Sequence, residues 1–111
     1  RDNIEAARRF MVAYVQASQD YQQAFAKGLP PPEWYVKIMQ KHTRAKDAAL
    51  YAAVQPAGLD PWGGMDMKSM REDYEWFKQK KLIISDQIKF EDPFDTSFID
   101  FAKDYVQKNH P

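Results

Sequence analysis

The end of the chain contains side chains that could support catalysis. Two carboxylates and two hydroxyls occur close together there: Asp92, Asp95, Thr96 and Ser97. Nucleophilic catalysis by a hydroxyl requires a base within hydrogen-bond reach and a third group that orients that base. The chain has only two histidines, His42 and His110, and no motif places either of them beside Ser97.

A helix start explains the same residues without chemistry. Asp95 stands immediately before Thr96 and Ser97, and an apolar and aromatic stripe follows from Phe98. Its carboxylate can accept hydrogen bonds from the first free backbone N–H groups, and its charge suits the positive end of a helix. Pro93 keeps the preceding chain extended. We therefore predict a capped helix here, no catalytic residue and no enzyme activity.

Metal and cofactor chemistry has little support in the sequence. With two histidines, no cysteine and no HExxH motif, a zinc site would depend on carboxylates. Asp60 and Asp66 flank a glycine-rich loop, but they do not follow the alternating oxygen ligands of a calcium loop. No glycine-rich phosphate loop follows a strand pattern. We predict no metal and no cofactor.

Three residues are the candidates for ligand binding: Trp62, Asp60 and Trp34. Trp62 lies between Pro61 and two glycines, where a large aromatic side chain is not obviously part of a core. It could face a ligand or a partner, or it could anchor the loop by burial, which is how most aromatic residues are used. Trp34 follows three prolines and could similarly pack on that turn.

Composition narrows the remaining classes. The 111 residues suit one domain with a modest core, residues 1–111 being a single helical domain or a fragment of a larger protein. Sixteen basic residues balance sixteen acidic ones, which argues against a nucleic-acid partner. No apolar run approaches the roughly 20 residues of a membrane span, so we expect no membrane insertion.

The apolar spacing predicts an all-α chain of about five helices with a long Gly/Pro loop at residues 55–65. Expected caps, helix-ending residues and inner-face residues follow from local signals. The caps are Asp2 or Asn3, Asp47, Asp66 and Asp95; Gly28 ends the first helix; Tyr35, Ile38, Met39 and His42 form the inner face of the second. Leu82–Ile84 is expected to be briefly extended.

Three stretches together carry a resemblance to a known family. They are "NIEAARRFMVAYVQASQDYQQAFAKG", "LYAAVQPAGLDPWGGMDMKSMREDYEWFKQKKLI" and "DPFDTSFIDFAKDYV". In this order they resemble the C-terminal part of periplasmic substrate-binding proteins of ABC transporters, of the nitrate, sulfonate and taurine type, related to the thiamine-pyrimidine-precursor proteins. The chain departs from the family's pattern at Ile4, where Pro is usual, at Trp62, where Asn is frequent, and at Lys81, where Gly often precedes the Leu-Ile pair.

The resemblance implies the C-terminal helical part of a two-lobed α/β receptor, because the βαβ units of both lobes are missing. It implies a periplasmic or extracellular location, a small-molecule ligand bound through the full receptor, and an ABC-transporter permease as partner. Helices that normally cover a sheet carry an apolar face for it. We therefore expect the isolated chain to associate with itself as a homo-oligomer or with the missing portion of a receptor.

Two other functions stay open. The first is a stand-alone all-α interaction module that uses its aromatic faces for a partner or for self-association. The second is an enzyme of the pyrimidine-precursor synthase type, to which the family is also related. That reading needs a histidine and other groups that this segment does not contain.

Overall fold

Five α-helices form the secondary structure in a computed structural model that describes residues 3–83 and 88–109. They are α1 (Ile4–Phe25), α2 (Glu33–His42), α3 (Ala48–Ala53), α4 (Met67–Gln79) and α5 (Ser97–Asn109). No strand occurs within these described ranges. The predicted all-α class is therefore confirmed, with five helices and a long irregular stretch between α3 and α4. Asp2, Ile84 and His110 lie outside the described residues.

Side-chain caps begin three of these helices at predicted positions. Asn3 begins α1, Asp47 begins α3 and Asp66 begins α4. In each case a side-chain oxygen accepts a hydrogen bond from a backbone N–H of the first turn, at 2.9 to 3.1 Å. These bonds satisfy donors that have no partner inside the helix, so local sequence alone sets the three starts.

Left-handed residues follow the ends of α1 and α4. Gly28, just after α1, has a φ of 81°, as expected for a glycine that ends a helix. After α4 the left-handed residue is Lys81, with a φ of 56°. The N–H of Lys81 donates to the carbonyl of Lys78 and the N–H of Leu82 to that of Phe77, both at 3.0 Å. This pair of bonds is a Schellman motif, which normally has glycine at the left-handed position.

The largest helix–helix contact joins α1 and α5. Four buried side chains form its centre: Val15, Ile99, Ala102 and Val106. Met11, Val12 and Trp62 pack against this cluster from the side. Because Trp62 belongs to the irregular loop, the loop is tied to the same core as the two helices.

Aromatic rings join the end of α1 to α2 and α3. The ring of Tyr35 in α2 lies 5.1 Å from that of Phe25 and 6.1 Å from that of Tyr21, both in α1. It also lies 6.5 Å from the ring of Tyr51 in α3. Edge-to-face arrangements at these distances are favourable, so Tyr35 is the centre of a second, smaller packing unit.

Helix α4 packs mainly on the irregular segment that follows it. The hydroxyl of Tyr74 donates to the carbonyl of Ile88 at 3.0 Å, and its ring lies 5.6 Å from that of Phe90. Arg71 forms an ion pair with Glu91, and its guanidinium lies 4.3 Å from the centre of the Phe90 ring. Phe90 is the buried residue of this third unit.

The chain is long and thinly packed. Its radius of gyration is 17.9 Å, whereas a compact domain of this length has about 13 Å. Every helix exposes large hydrophobic side chains: Ile4, Phe10, Tyr14, Trp34, Ile38, Leu50, Met67, Met70, Trp76, Phe77, Phe101 and Tyr105. The predicted inner face of α2 is therefore wrong at two positions, because Ile38 and His42 are exposed. Nothing packs over that part of α2 within the described chain.

Candidate functional site

The Asp95 carboxylate accepts a backbone hydrogen bond at the start of α5, as predicted, although the helix itself begins two residues later, at Ser97. Oδ1 of Asp95 accepts this hydrogen bond from the backbone N–H of Ser97 at 3.0 Å. Hydrogen bonds from the Ser97 side chain and backbone lower the pKa of the Asp95 carboxyl. The neighbouring Asp92 accepts a bond from the N–H of Lys89 at 2.8 Å and so closes the preceding turn. Both carboxylates are thus engaged by the local backbone, in the manner of structural residues.

Asp60 organises the glycine-rich loop. Its Oδ1 accepts hydrogen bonds from the backbone N–H of Trp62 at 2.8 Å and from that of Gly64 at 2.9 Å. The bond from Gly64, followed by the bond from Trp62, lowers the pKa of the Asp60 carboxyl. The charged form is favoured because both donors stabilise negative charge on the same oxygen. Asp60 therefore holds the loop in a tight turn.

Trp62 is half-buried and faces the α1–α5 core. It packs against the buried cluster that contains Val15 and Ile99. The adjacent Gly63 brings the loop backbone close to Ile99, with a φ of 69°. This placement agrees with the second of the two roles considered for Trp62, which is to anchor the loop by burial. A ligand contact by Trp62 or Asp60 stays a prediction.

Trp34 lies elsewhere, beside a cavity between α1 and α2. The cavity has a volume of about 340 Å³ and is partly open to solvent. Tyr14, Tyr21 and Tyr35 line it together with Trp34, and Asp20 reaches its edge. Neither Asp60 nor Trp62 lines this cavity, although Leu59 of the same loop does. The structure therefore does not bring the three predicted ligand residues into one site.

A cavity of 340 Å³ is within the size range of small-molecule sites. The irregular loop closes one side of it, because the Tyr21 hydroxyl donates to the carbonyl of Ala57 at 3.3 Å and the Gln22 side chain donates to that of Leu59. Burial, followed by the neighbouring Tyr21 and Tyr51, raises the pKa of the Tyr35 hydroxyl. Tyr35 is therefore a neutral wall residue at physiological pH.

A second cavity, of 420 Å³, lies between α4 and the segment that follows it. Tyr74, Phe77, Phe90 and Phe94 give it an aromatic lining. Asp73 and Lys89 both reach its edge, so it carries one charge of each sign. This arrangement favours no particular charge on a ligand.

The described residues contain no group of three or more His, Asp or Glu side chains that could hold a metal ion. His42 is exposed at the end of α2. No helix in the described part of the chain is long and apolar enough to cross a membrane.

Comparison with known proteins identifies no relative. No family model matches the chain. No curated protein and no solved structure matches it either. Function must therefore be argued from the residues and their geometry.

Sequence reasoning missed the cavity between α1 and α2, although it named Trp34 and Tyr35, two of the four rings around it. Tyr14 and Tyr21 are seven positions apart and so share one face of α1. Trp34 and Tyr35 lie in the first turn of α2, which begins at Glu33 directly after the proline connector. A short connector between two helices was the available signal that these rings would meet.

Proposed function

We propose that the chain is the C-terminal helical segment of a solute-binding protein that captures a small molecule for an ABC importer. The resemblance over nearly the whole chain supports this proposal. So does the thin packing of the helices, since helices that cover a sheet keep an apolar face for it. The location under this proposal is periplasmic or extracellular, and the role is binding without catalysis.

The exposed apolar surface of α4 is the observation that carries the proposal. Trp76 and Phe77 are 50% and 44% exposed, and their rings lie 5.2 Å apart. Met67 and Met70 on the same helix are each 38% exposed. Monomeric proteins rarely leave such a group of side chains in water, so a further surface is expected to cover it.

In a two-lobed receptor the ligand is held between the lobes, and their closure presents a surface to the permease. The helices of this chain would cover one lobe. The chain would also contribute residues to the edge of the cleft. We propose Trp34, beside the α1–α2 cavity, and Asp60 and Trp62, in the irregular loop, for this contribution.

The product of the complete reading frame tests the proposal. We expect it to contain an α/β portion, to bind one class of small molecule in a titration with small anions and aromatic acids, and to become more compact in small-angle scattering when it binds. Hydrogen exchange of α4 should be slower in the complete product than in the 111-residue chain, because α4 gains a covering surface.

A matched pair of variants makes the test specific. Trp76→Lys should disrupt the complete product, whereas Asp73→Lys, on the same helix, should leave it folded. A reading frame without an α/β portion, or equal tolerance of both substitutions, would contradict the proposal.

A stand-alone interaction module is the second candidate. The α1–α5 core favours it, because Val15, Ala102 and Val106 are fully buried by this chain alone. Under this alternative the 111-residue chain forms stable, stoichiometric oligomers in sedimentation velocity, and Trp76→Lys dissociates them. An interaction module of this kind does not require an α/β portion.

A further inference from the structure

We propose that the cavity between α1 and α2 binds a small organic cation of the quaternary or methylated ammonium class. The proposal depends on the geometry of these two helices and the loop beside them. It stands whether or not the chain is a segment of the solute-binding protein proposed above.

The aromatic walls are the first argument. Tyr14, Tyr21, Trp34 and Tyr35 all line the cavity. The plane of Tyr35 is 85° from that of Trp34 and 67° from that of Tyr21, with ring centres 6.1 Å apart in both pairs. Rings at steep angles can surround a cation on several sides, and the negative potential of each ring face attracts it.

Charge is the second argument. Among the residues that the structure describes, Asp20 is the one Asp, Glu, Lys or Arg side chain that lines the cavity. Lys37, on α2, pairs instead with Glu33 at 2.7 Å. A carboxylate beside aromatic walls favours a positively charged occupant and disfavours an anion.

The hydrogen bonds already formed are the third argument. The Ser18 hydroxyl donates to the carbonyl of Tyr14 at 2.9 Å, and the Tyr21 hydroxyl donates to that of Ala57. These two donors are therefore engaged by the backbone. A quaternary ammonium group needs no hydrogen bond, so it loses little on entering such a cavity, whereas a strongly hydrogen-bonding ligand would leave polar groups unpaired.

No cation of the chain is found over these rings within the described residues. The guanidinium of Arg8 lies over Phe101, that of Arg71 over Phe90, and the ammonium of Lys80 near Trp76. None of those three rings lines the cavity. These three cations therefore do not compete with an external cation for the rings of the cavity.

Isothermal titration calorimetry of the 111-residue chain with choline tests the proposal. The neutral isostere 3,3-dimethyl-1-butanol has the same shape without the charge and is the control ligand. We expect choline to bind saturably and the alcohol to bind at least about 10-fold more weakly. Equal binding of the two, or no saturable heat with choline up to about 10 mM, would overturn the proposal.

Two variants locate the site. Trp34→Ala should weaken choline binding about 10-fold, because it removes one aromatic wall. Asp20→Asn should weaken it about 3-fold or more, because it removes the negative charge. Trp76→Ala, which removes an exposed ring on α4, is the matched control and should bind choline as the wild type does. Circular dichroism establishes that each variant is folded, and unchanged affinity in both folded cavity variants would refute the assignment.

Discussion

Gly63 lies directly against Ile99. A Cβ atom at Gly63 would be 2.7 Å from Cδ1 of Ile99 and 3.0 Å from Cε1 of Tyr14. Gly63 also has a φ of 69°, which a residue with a side chain adopts only at a cost. The loop can approach the α1–α5 core this closely only because a glycine stands here.

We expect Gly63→Ala to lower the free energy of unfolding by about 2 kcal/mol or more, since left-handed strain and overpacking add. Urea denaturation measures the change. Gly58→Ala is the matched control, because nothing lies within 4 Å of a Cβ atom at Gly58. Equal stability of the two variants would mean that the loop does not dock on Ile99 in solution.

Trp62 provides a second test of the same docking. Trp62→Ala should destabilise the chain by about 2 kcal/mol, below the usual cost of a fully buried tryptophan because the side chain is half-buried. Trp76→Ala should change stability by less than about 0.5 kcal/mol, since Trp76 is 50% exposed. Thermal and urea unfolding of both variants measure the difference. A larger loss for Trp76→Ala would contradict the packing described for the two residues.

Lys81 is expected to be a stabilising position for glycine. Lys81→Gly should raise the free energy of unfolding by about 1 kcal/mol, because Lys81 has a φ of 56° in a Schellman motif. The neighbouring Lys80 has a φ of −78°, so Lys80→Gly should give no gain. Urea denaturation of the two variants tests this prediction, and a loss of stability in Lys81→Gly would show that the lysine side chain makes a compensating contact.

The charge of Asp60 should make stability depend on acid pH. Its folded-state pKa is lowered from the usual 3.8 by hydrogen bonds from Gly64 and Trp62. The stabilisation is therefore complete above the unfolded-state value and is lost as pH falls through the lower, folded-state value. Asp60→Asn keeps an oxygen acceptor but removes the charge.

We expect the melting temperatures of Asp60→Asn and wild type to differ most near neutral pH and to converge as the solution becomes more acidic than the usual pKa of an aspartate. Thermal melts across this range measure the difference. A constant difference at all pH values would mean that the carboxylate charge has no part in holding the loop.

Local features of the fold could be predicted from the sequence. Four side chains each accept a hydrogen bond from a backbone N–H within three residues: Asn3, Asp47, Asp66 and Asp95. The neighbouring residues are therefore sufficient to predict where these bonds form. The end of α1 could be predicted for a similarly local reason, because Gly28 adopts the left-handed conformation just after the helix.

Long-range features could not be predicted in the same way. Helical spacing finds the apolar face of α2 but does not tell whether another element covers it, and Ile38 and His42 proved to be exposed. The approach of Gly63 to Ile99 joins residues that are far apart in the chain. The contact between Tyr21 and Tyr35 depends on the path of the proline connector, which periodicity does not describe.

The hydrogen bonds from α1 to the irregular loop have an evolutionary consequence. Tyr21 and Gln22 are neighbours in one helical turn, and they bind the carbonyls of Ala57 and Leu59. The spacing of two donors on a rigid helix thus fixes the spacing of two acceptors on the loop. Substitutions at Gly58 can be tolerated in descendants of this protein, but insertions or deletions between Ala57 and Leu59 should be selected against.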